Sequence, residues 1–314
     1  MLQTPVLVPA PRQVSRGTRV VRIPDQLWVA VAGRHQELLP VLCSFQKSVS
    51  ARIGVTVHLT ASSRGLEEQF HVSVAAGDAS ISHPQGYRLT VSPEGIRLSA
   101  ATPQGAAYGL ATLKQILAAG REVPEMAIDD YPDFDRRGVM LDISRGKVPT
   151  MERLYRFVDL LADLKVNEFQ LYTEHTFAYR EHREVWQAYS PMTGEEIMAL
   201  DQYCRERFID LVPNQNSFGH MTPWLIHPRY QHMAEAPDGF ELPWGGRREE
   251  PFSLSPDEPS VIPFLAGLYD ELLPHFTSSY FNVGCDETFD LGQGRSKQAV
   301  AERGEHAVYL EQLL

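Results

Sequence analysis

Cysteine is scarce in this chain. Cys43, Cys204 and Cys285 are the three among 314 residues. A sparse, odd count with no CxxC or Cys/His spacing argues against a disulfide framework and against structural zinc. Basic charge is also in deficit, with 29 Lys and Arg against 40 Asp and Glu and a formal net charge of -11. A nucleic-acid partner needs a basic stripe, and no run of Lys/Arg supplies one. Long apolar runs are missing as well. The opening MLQTPVLVPAPRQVSRG has no basic start followed by an apolar stretch, so neither a signal peptide nor a membrane span is read there. The resulting expectation is a cytoplasmic protein with no membrane partner. No glycine-rich phosphate loop follows any candidate strand, which lowers a nucleotide-binding reading.

What is present is an ordinary globular mix, with 43% hydrophobic and 22% charged residues. Up to about residue 130, short strands and two helices alternate. The strand candidates are 18–23, 27–31, 55–60, 70–75, 87–91 and 96–100. Ser92-Pro93-Glu94-Gly95 has hairpin-turn chemistry, and Thr102-Pro103 opens a helix with an N-cap and an N1 proline. Leu110, Leu113 and Leu117 fall on one face of that helix. These features predict an α+β domain over 1–133, with a mostly antiparallel sheet. The polar, proline-containing stretch 129–135 marks its boundary.

From 134 to 314 the rhythm becomes strand, helix, strand, helix. Strands are expected at 138–143, 168–172, 208–212 and 280–283. Helices start at Thr150, at the Thr193/Glu196 capping box, at Ser255-Pro256 with Glu258, and near Gln298. Four βα units imply a parallel sheet, closed as an open doubly wound sheet or as a (β/α)8 barrel. A barrel of eight strands takes roughly 250 residues, and about 180 follow the boundary. The chain also ends within an apolar helical stretch, so the expectation is an α/β barrel truncated after about four units.

Candidate chemistry collects at strand C-termini, where barrels and open α/β sheets both place their sites. Asp142 and Arg145 follow the first strand, Glu174 and His175 the second. Asn214, Asn216 and His220 follow the third, and Asp286 and Glu287 the fourth. Adjacent carboxylates at a strand end point in different directions and can take different roles, or they form a solvated acidic turn or a helix N-terminal charge and no more. Repulsion and burial are expected to raise the pKa of one, fitting it to donate a proton to a glycosidic oxygen. Arg145 can clamp sugar hydroxyls or simply pair with a nearby Asp. Trp224 and Trp244, in the long third loop, are read as packing that loop rather than stacking on sugars. Tyr172 is read as packing.

These residues resemble glycoside hydrolase family 20. Arg137 with Gly138-Val139-Met140-Leu141-Asp142-Ile143-Ser144-Arg145 is similar to the family's opening barrel strand. Lys165–Tyr172 is similar to its second strand, and Pro213 through Gly219-His220 to its Pro-Glu-x-Asp-x-Pro-Gly-His segment. Gly284-Cys285-Asp286-Glu287 matches its Gly-x-Asp-Glu signature. The resemblance implies a barrel preceded by a smaller α+β domain, and a retaining exo-β-N-acetylhexosaminidase without cofactor or metal. Its partner would be a glycan ending in β-linked N-acetylglucosamine or N-acetylgalactosamine. Glu287 would be the general acid and then base, and Asp286 would stabilise the substrate's acetamido group. Arg145, His220, Glu174 and His175 would serve the sugar site. Glu174-His175-Thr176 stands where the family carries an acid pair, and Asn214 and Asn216 replace its Glu and Asp. The expected truncation and those departures keep a non-catalytic sugar-binding remnant open, and a barrel glycosidase for sugars without the acetamido group is a third reading.

Overall fold

The structure, a computed structural model, describes residues 5–33 and 35–313. The chain forms two compact units, one of Met1–Gly138, Tyr155–Asn167 and Tyr203–Ile209, the other of Val139–Leu154, Glu168–Gln202 and Asp210–Leu314.

The first unit holds β1 (Gln13–Arg22), β2 (Gln26–Ala32), α1 (His35–Ile53), β3 (Thr56–Thr60), β4 (His71–Ala76), β5 (Tyr87–Ser92), β6 (Gly95–Ala100), α2 (Pro103–Leu117) and β7 (Glu122–Asp130). Its sheet runs β1-β7-β5-β6-β4-β2-β3. The expected antiparallel character holds on one side only. β1, β7, β5 and β6 pair antiparallel, whereas β6, β4, β2 and β3 pair parallel. The cause is α1, which carries the chain back across the sheet so that β2 and β3 run in the same direction. β7 is not among the expected strands, because Pro124 and its acidic residues obscure the strand pattern. Thr102 caps α2 as expected, its hydroxyl accepting from Gly105 N at 3.2 Å. Leu110, Leu113 and Leu117 are all buried with Tyr87, Leu89 and Val91 in the core beneath α2.

A buried ionic knot belongs to this unit. Lys165 Nζ lies 2.9 Å from Asp130 Oδ2 and donates to the Tyr87 hydroxyl at 2.9 Å. Tyr87 donates on to Asp130 at 2.7 Å and shares a 2.6 Å bond with Thr112.

The helix α3 (Met151–Asp163) begins in the second unit but belongs to the first from Tyr155 on; the second unit further contains β8 (Gly138–Asp142), β9 (Glu168–Tyr172), α4 (Arg183–Trp186), α5 (Gly194–Arg205), β10 (Asp210–Val212), α6 (Thr222–Leu225), β11 (Phe240–Glu241), β12 (Arg247–Arg248), α7 (Val261–Leu272), α8 (Lys297–Arg303) and α9 (Glu305–Leu313), with β8 and α5 shared at one end. Its sheet has the order β10-β9-β8, with β9 and β10 parallel. The fourth expected strand, 280–283, is reduced to one parallel bridge. Asn282 N donates to Pro213 O, and Gln215 N donates to Asn282 O, both at 3.0 Å.

The Thr193/Glu196 capping box forms reciprocally, at 2.9 and 3.2 Å. The helix expected at Ser255 starts instead at Val261. Pro259 disfavours helical backbone at Glu258, and the Ser255 hydroxyl is taken by Glu235 at 2.9 Å. The last helix is two, broken at Gly304, where φ is +86°. Leu314 lies outside the described residues. No described helix is long and apolar enough to cross a membrane.

Candidate active site

Five of the six site residues read from the sequence converge at the ends of β8, β9, β10 and the Asn282 bridge. Asp142 closes a turn with its own side chain, Oδ1 accepting from Ser144 N at 2.8 Å and Arg145 N at 3.1 Å. That turn carries Arg145 Nε to 3.3 Å from Asp142 Oδ2 and 3.5 Å from Glu174 Oε1. The guanidinium also sits over the Tyr172 ring, 4.9 Å from its centre.

His220 lies at the middle. Its Nδ1 is 3.6 Å from Glu174 Oε1. On the other side Nε2 is 3.2 Å from Glu287 Oε2 and 3.6 Å from Asp286 Oδ2. Nε2 makes no bond of hydrogen-bond geometry despite this closeness. The Phe252 ring meets the imidazole edge-on at 4.9 Å. Glu174 is held from above and below. Tyr172 OH donates to its Oε1 at 2.9 Å, while its backbone carbonyl accepts from Gln215 Nε2 at 3.0 Å and Trp224 Nε1 at 2.7 Å. Asn216 Nδ2 donates to the Tyr172 hydroxyl. Burial, then the Glu174 carboxylate, pushes the Tyr172 phenol above its ordinary range, so it stays a donor.

The Asp286–Glu287 pair departs from the expected burial. The Asp286 and Glu287 side chains are 59% and 55% exposed, while those of His220 and Glu174 are 10% and 9% exposed. The carboxylates therefore stand open above a buried His–Glu base. Their backbone is tightly shaped. φ is positive at Gly284, Cys285 and Glu287, and at His220 facing them, a concentration of uncommon backbone typical of functional sites. A Cβ on Gly219 would stand 2.5 Å from Asp286 O, and one on Gly284 would strike the Asn216 side chain. Burial pushes the Cys285 thiol up to about 11, which makes it an inert packing group.

His175 stands apart. It is 3% exposed, both ring nitrogens lack hydrogen-bond partners, and its ring packs edge-on at 4.3 Å to Tyr189. Burial lowers its pKa to about 4, so the ring is neutral. Among the described residues, His220, Asp286 and Glu287 each offer a ligand atom, all within 4.8 Å of one another. On distance alone a divalent cation would fit.

Sequence reasoning missed several supports. Asn214 bonds Gln170 at 3.1 Å rather than facing the carboxylates, and Asn282 bonds the same oxygen at 2.9 Å. Glu235, fully buried, accepts from Ser296 Oγ at 2.7 Å and Gly294 N at 3.2 Å, tying the third loop to the loop that follows Glu287. Asp290 does the same with Ser253 N at 2.9 Å. A single glutamate or aspartate between loops leaves no periodic signal to find.

Comparison with known proteins bears on both units. A model described as glycosyl hydrolase family 20, domain 2 matches residues 4–131, and the family's catalytic-domain model matches residues 134–307. The chain belongs to glycosyl hydrolase family 20. It thus has the family's smaller N-terminal domain followed by its catalytic domain. A beta-hexosaminidase of Porphyromonas gingivalis is 24% identical over 310 residues, covering 90% of this chain and 38% of that protein. One from Akkermansia muciniphila is 31% identical over 225 residues, covering 64% of this chain and 45% of that protein. Among solved structures, the Flavobacterium johnsoniae chitobiase superposes with a TM-score of 0.78 at 23% identity, covering 98% of this chain and 50% of its own. An exo beta-N-acetylglucosaminidase of Vibrio harveyi, solved in complex with N-acetylglucosamine, gives 0.76 at 20% identity, covering 98% and 51%. The chain thus spans about half or less of each of these relatives.

Proposed function

We propose that the protein of this chain is a retaining exo-β-N-acetylhexosaminidase, removing terminal β-linked N-acetylglucosamine or N-acetylgalactosamine from glycans. Residues 134–314 are then the opening units of a (β/α)8 barrel, and 1–133 the domain that precedes it. The observation that carries the reading is His220, bridging buried Glu174 to the open pair Asp286 and Glu287.

In this reading Arg145 holds sugar hydroxyls, with Glu174 beside it. Glu287 protonates the leaving oxygen while the substrate's acetamide oxygen attacks the anomeric carbon. The family departs from two-carboxylate catalysis in this respect, because the substrate and not the enzyme supplies the nucleophile. Asp286 stabilises the positive oxazolinium ion, and His220 holds both carboxylates in place. Water then attacks with Glu287 as base, so configuration is retained. Keeping the nucleophile within the substrate lowers the entropic cost of the step. No cofactor enters.

The test is release of nitrophenol from the β-N-acetylglucosaminide and from the plain β-glucoside by the whole protein. Turnover selective for the acetamido sugar is expected. Equal turnover of both would rule out substrate assistance, and binding without turnover in a folded protein would leave a sugar-binding remnant.

A further inference from the structure

Two tryptophans lie in the third loop, and they differ sharply. Trp224 is fully buried, whereas Trp244 is 68% exposed. Trp244 sits in the turn of the β11–β12 hairpin, closed by Leu242 N to Gly246 O at 2.8 Å and Gly245 N to Leu242 O at 2.9 Å. That hairpin is pinned to the loop after Glu287 by one side chain. Gln293 Oε1 accepts from Glu241 N at 2.9 Å, and its Nε2 donates to Glu241 O at 3.0 Å and Phe289 O at 2.9 Å.

A run of ring contacts then leads inward. Trp244 meets Phe289 edge-on at 5.0 Å, Phe289 stacks with Phe252 at 6.2 Å, and Phe252 meets His220 at 4.9 Å. Phe289 itself is two residues past Glu287 and donates its N–H to Glu287 O at 2.8 Å. An apolar ring is thus held on a hairpin pinned to the segment that follows Glu287, while its body is left to water. A fixed indole loses little entropy on meeting a flat apolar surface, which is how preorganised aromatic contacts gain affinity.

We propose that Trp244 is the platform for the leaving-group sugar, the pyranose on the far side of the bond that Glu287 protonates; this rests on the hydrolase reading above. The neighbouring charges favour a neutral ring. Arg247 is matched by Glu241 at 3.6 Å and Glu249 at 3.4 Å, so no unbalanced cation waits beside the indole. The C–H face of a pyranose supplies the apolar surface, and its hydroxyls remain in water.

The test compares W244A with the wild-type whole protein on two β-N-acetylglucosaminides. One is a disaccharide whose leaving group is a second pyranose; the other is the glycosyl fluoride, whose leaving group has no ring. The ratio of kcat/KM for the disaccharide to that for the fluoride is expected to fall at least tenfold, mostly through KM. W244F, which keeps a smaller ring, is expected to recover part of the ratio. A ratio unchanged within twofold overturns the proposal. So does an equal fall on both substrates, which would make Trp244 a support of the catalytic loop. If the wild type turns over neither substrate, the hydrolase reading fails, and calorimetric titration with the disaccharide decides the platform alone. Binding at least tenfold weaker in W244A supports it, and equal or absent binding overturns it.

Discussion

The Lys165–Asp130–Tyr87–Thr112 group of the first unit and the Glu174–His220–Asp286–Glu287 group of the second use similar side chains to different ends. In the first, the Lys165 and Asp130 side chains are 8% and 10% exposed. Both Asp130 oxygens are used, Oδ2 by Lys165 and Tyr87 and Oδ1 by Arg12 N at 3.1 Å. Each of these side chains has its partner within the group. In the second, the base is buried but the carboxylates are open, and His220 Nε2 and Asn216 Oδ1 lack hydrogen-bond partners. Buried polar groups are nearly always satisfied in folded proteins, so spare bonding capacity beside an open face marks the place where a substrate would complete the network. A closed network serves the fold, and an unfinished one serves chemistry.

The strongest way to break this contrast is to remove the open acid. Glu287→Gln is expected to lower kcat on the aryl β-N-acetylglucosaminide by about 10³-fold, within the range of general acid catalysis. The folded protein should tolerate it, because the Glu287 side chain is 55% exposed and makes no contact that the fold needs. Equal loss of stability and rate would place Glu287 in the structural class instead.

The converse change is Lys165→Met. It leaves Asp130 buried without its cation, which costs about 3–5 kcal/mol for a broken buried pair. Denaturant titration should show that loss, while kcat per folded molecule stays within about twofold. A stable variant would mean that the knot is less closed than its geometry implies.

The ease of reading these two groups from sequence was unequal. Gly138–Arg145 and Gly284–Glu287 were legible because apolar strand patterns end in polar residues there, and strand ends are where α/β folds expose function. The Thr193/Glu196 box and the Ser92–Gly95 turn were legible because their hydrogen bonds are local. What stayed hidden depends on distant partners. Ser255 has the chemistry of a helix cap, yet Glu235, twenty residues earlier, takes its hydroxyl. β7 exists because β1 and β5 flank it, not because its own residues favour a strand. Tyr172, read as packing, places its hydroxyl between Asn216 and Glu174. The closeness of His220 to three carboxylates is likewise a property of the fold rather than of any spacing.

His175 sharpens the contrast from the side of pH. Its pKa is lowered from 6.5 to about 4 by burial, so the folded state binds its proton less readily than the unfolded state does. The stability this neutral ring permits is present above pH 6.5 and is lost as pH falls toward 4, at a slope of up to about 1.4 kcal/mol per pH unit. His175→Phe should flatten that part of the stability profile and leave the pH 7 rate within about threefold. A large loss of sugar affinity in the variant would instead return His175 to the binding residues that the sequence suggested.

The finest test falls on Tyr172→Phe, because its hydroxyl sits at the junction between support and chemistry. Removing it takes one donor from Glu174 Oε1, at 2.9 Å, and leaves Asn216 Nδ2 without its acceptor. A lost hydrogen bond of this kind costs roughly 1 kcal/mol, or about fivefold in rate if the whole loss is felt in the transition state. Glu174 would still face His220 and Arg145, so KM should move little while kcat falls. If stability drops by about 1 kcal/mol and the rate is untouched, the Tyr172 hydroxyl belongs with the closed knot of the first unit, as scaffold. If the rate falls and stability barely changes, the unfinished network extends one residue deeper than the carboxylates, down to the floor on which Glu174 rests.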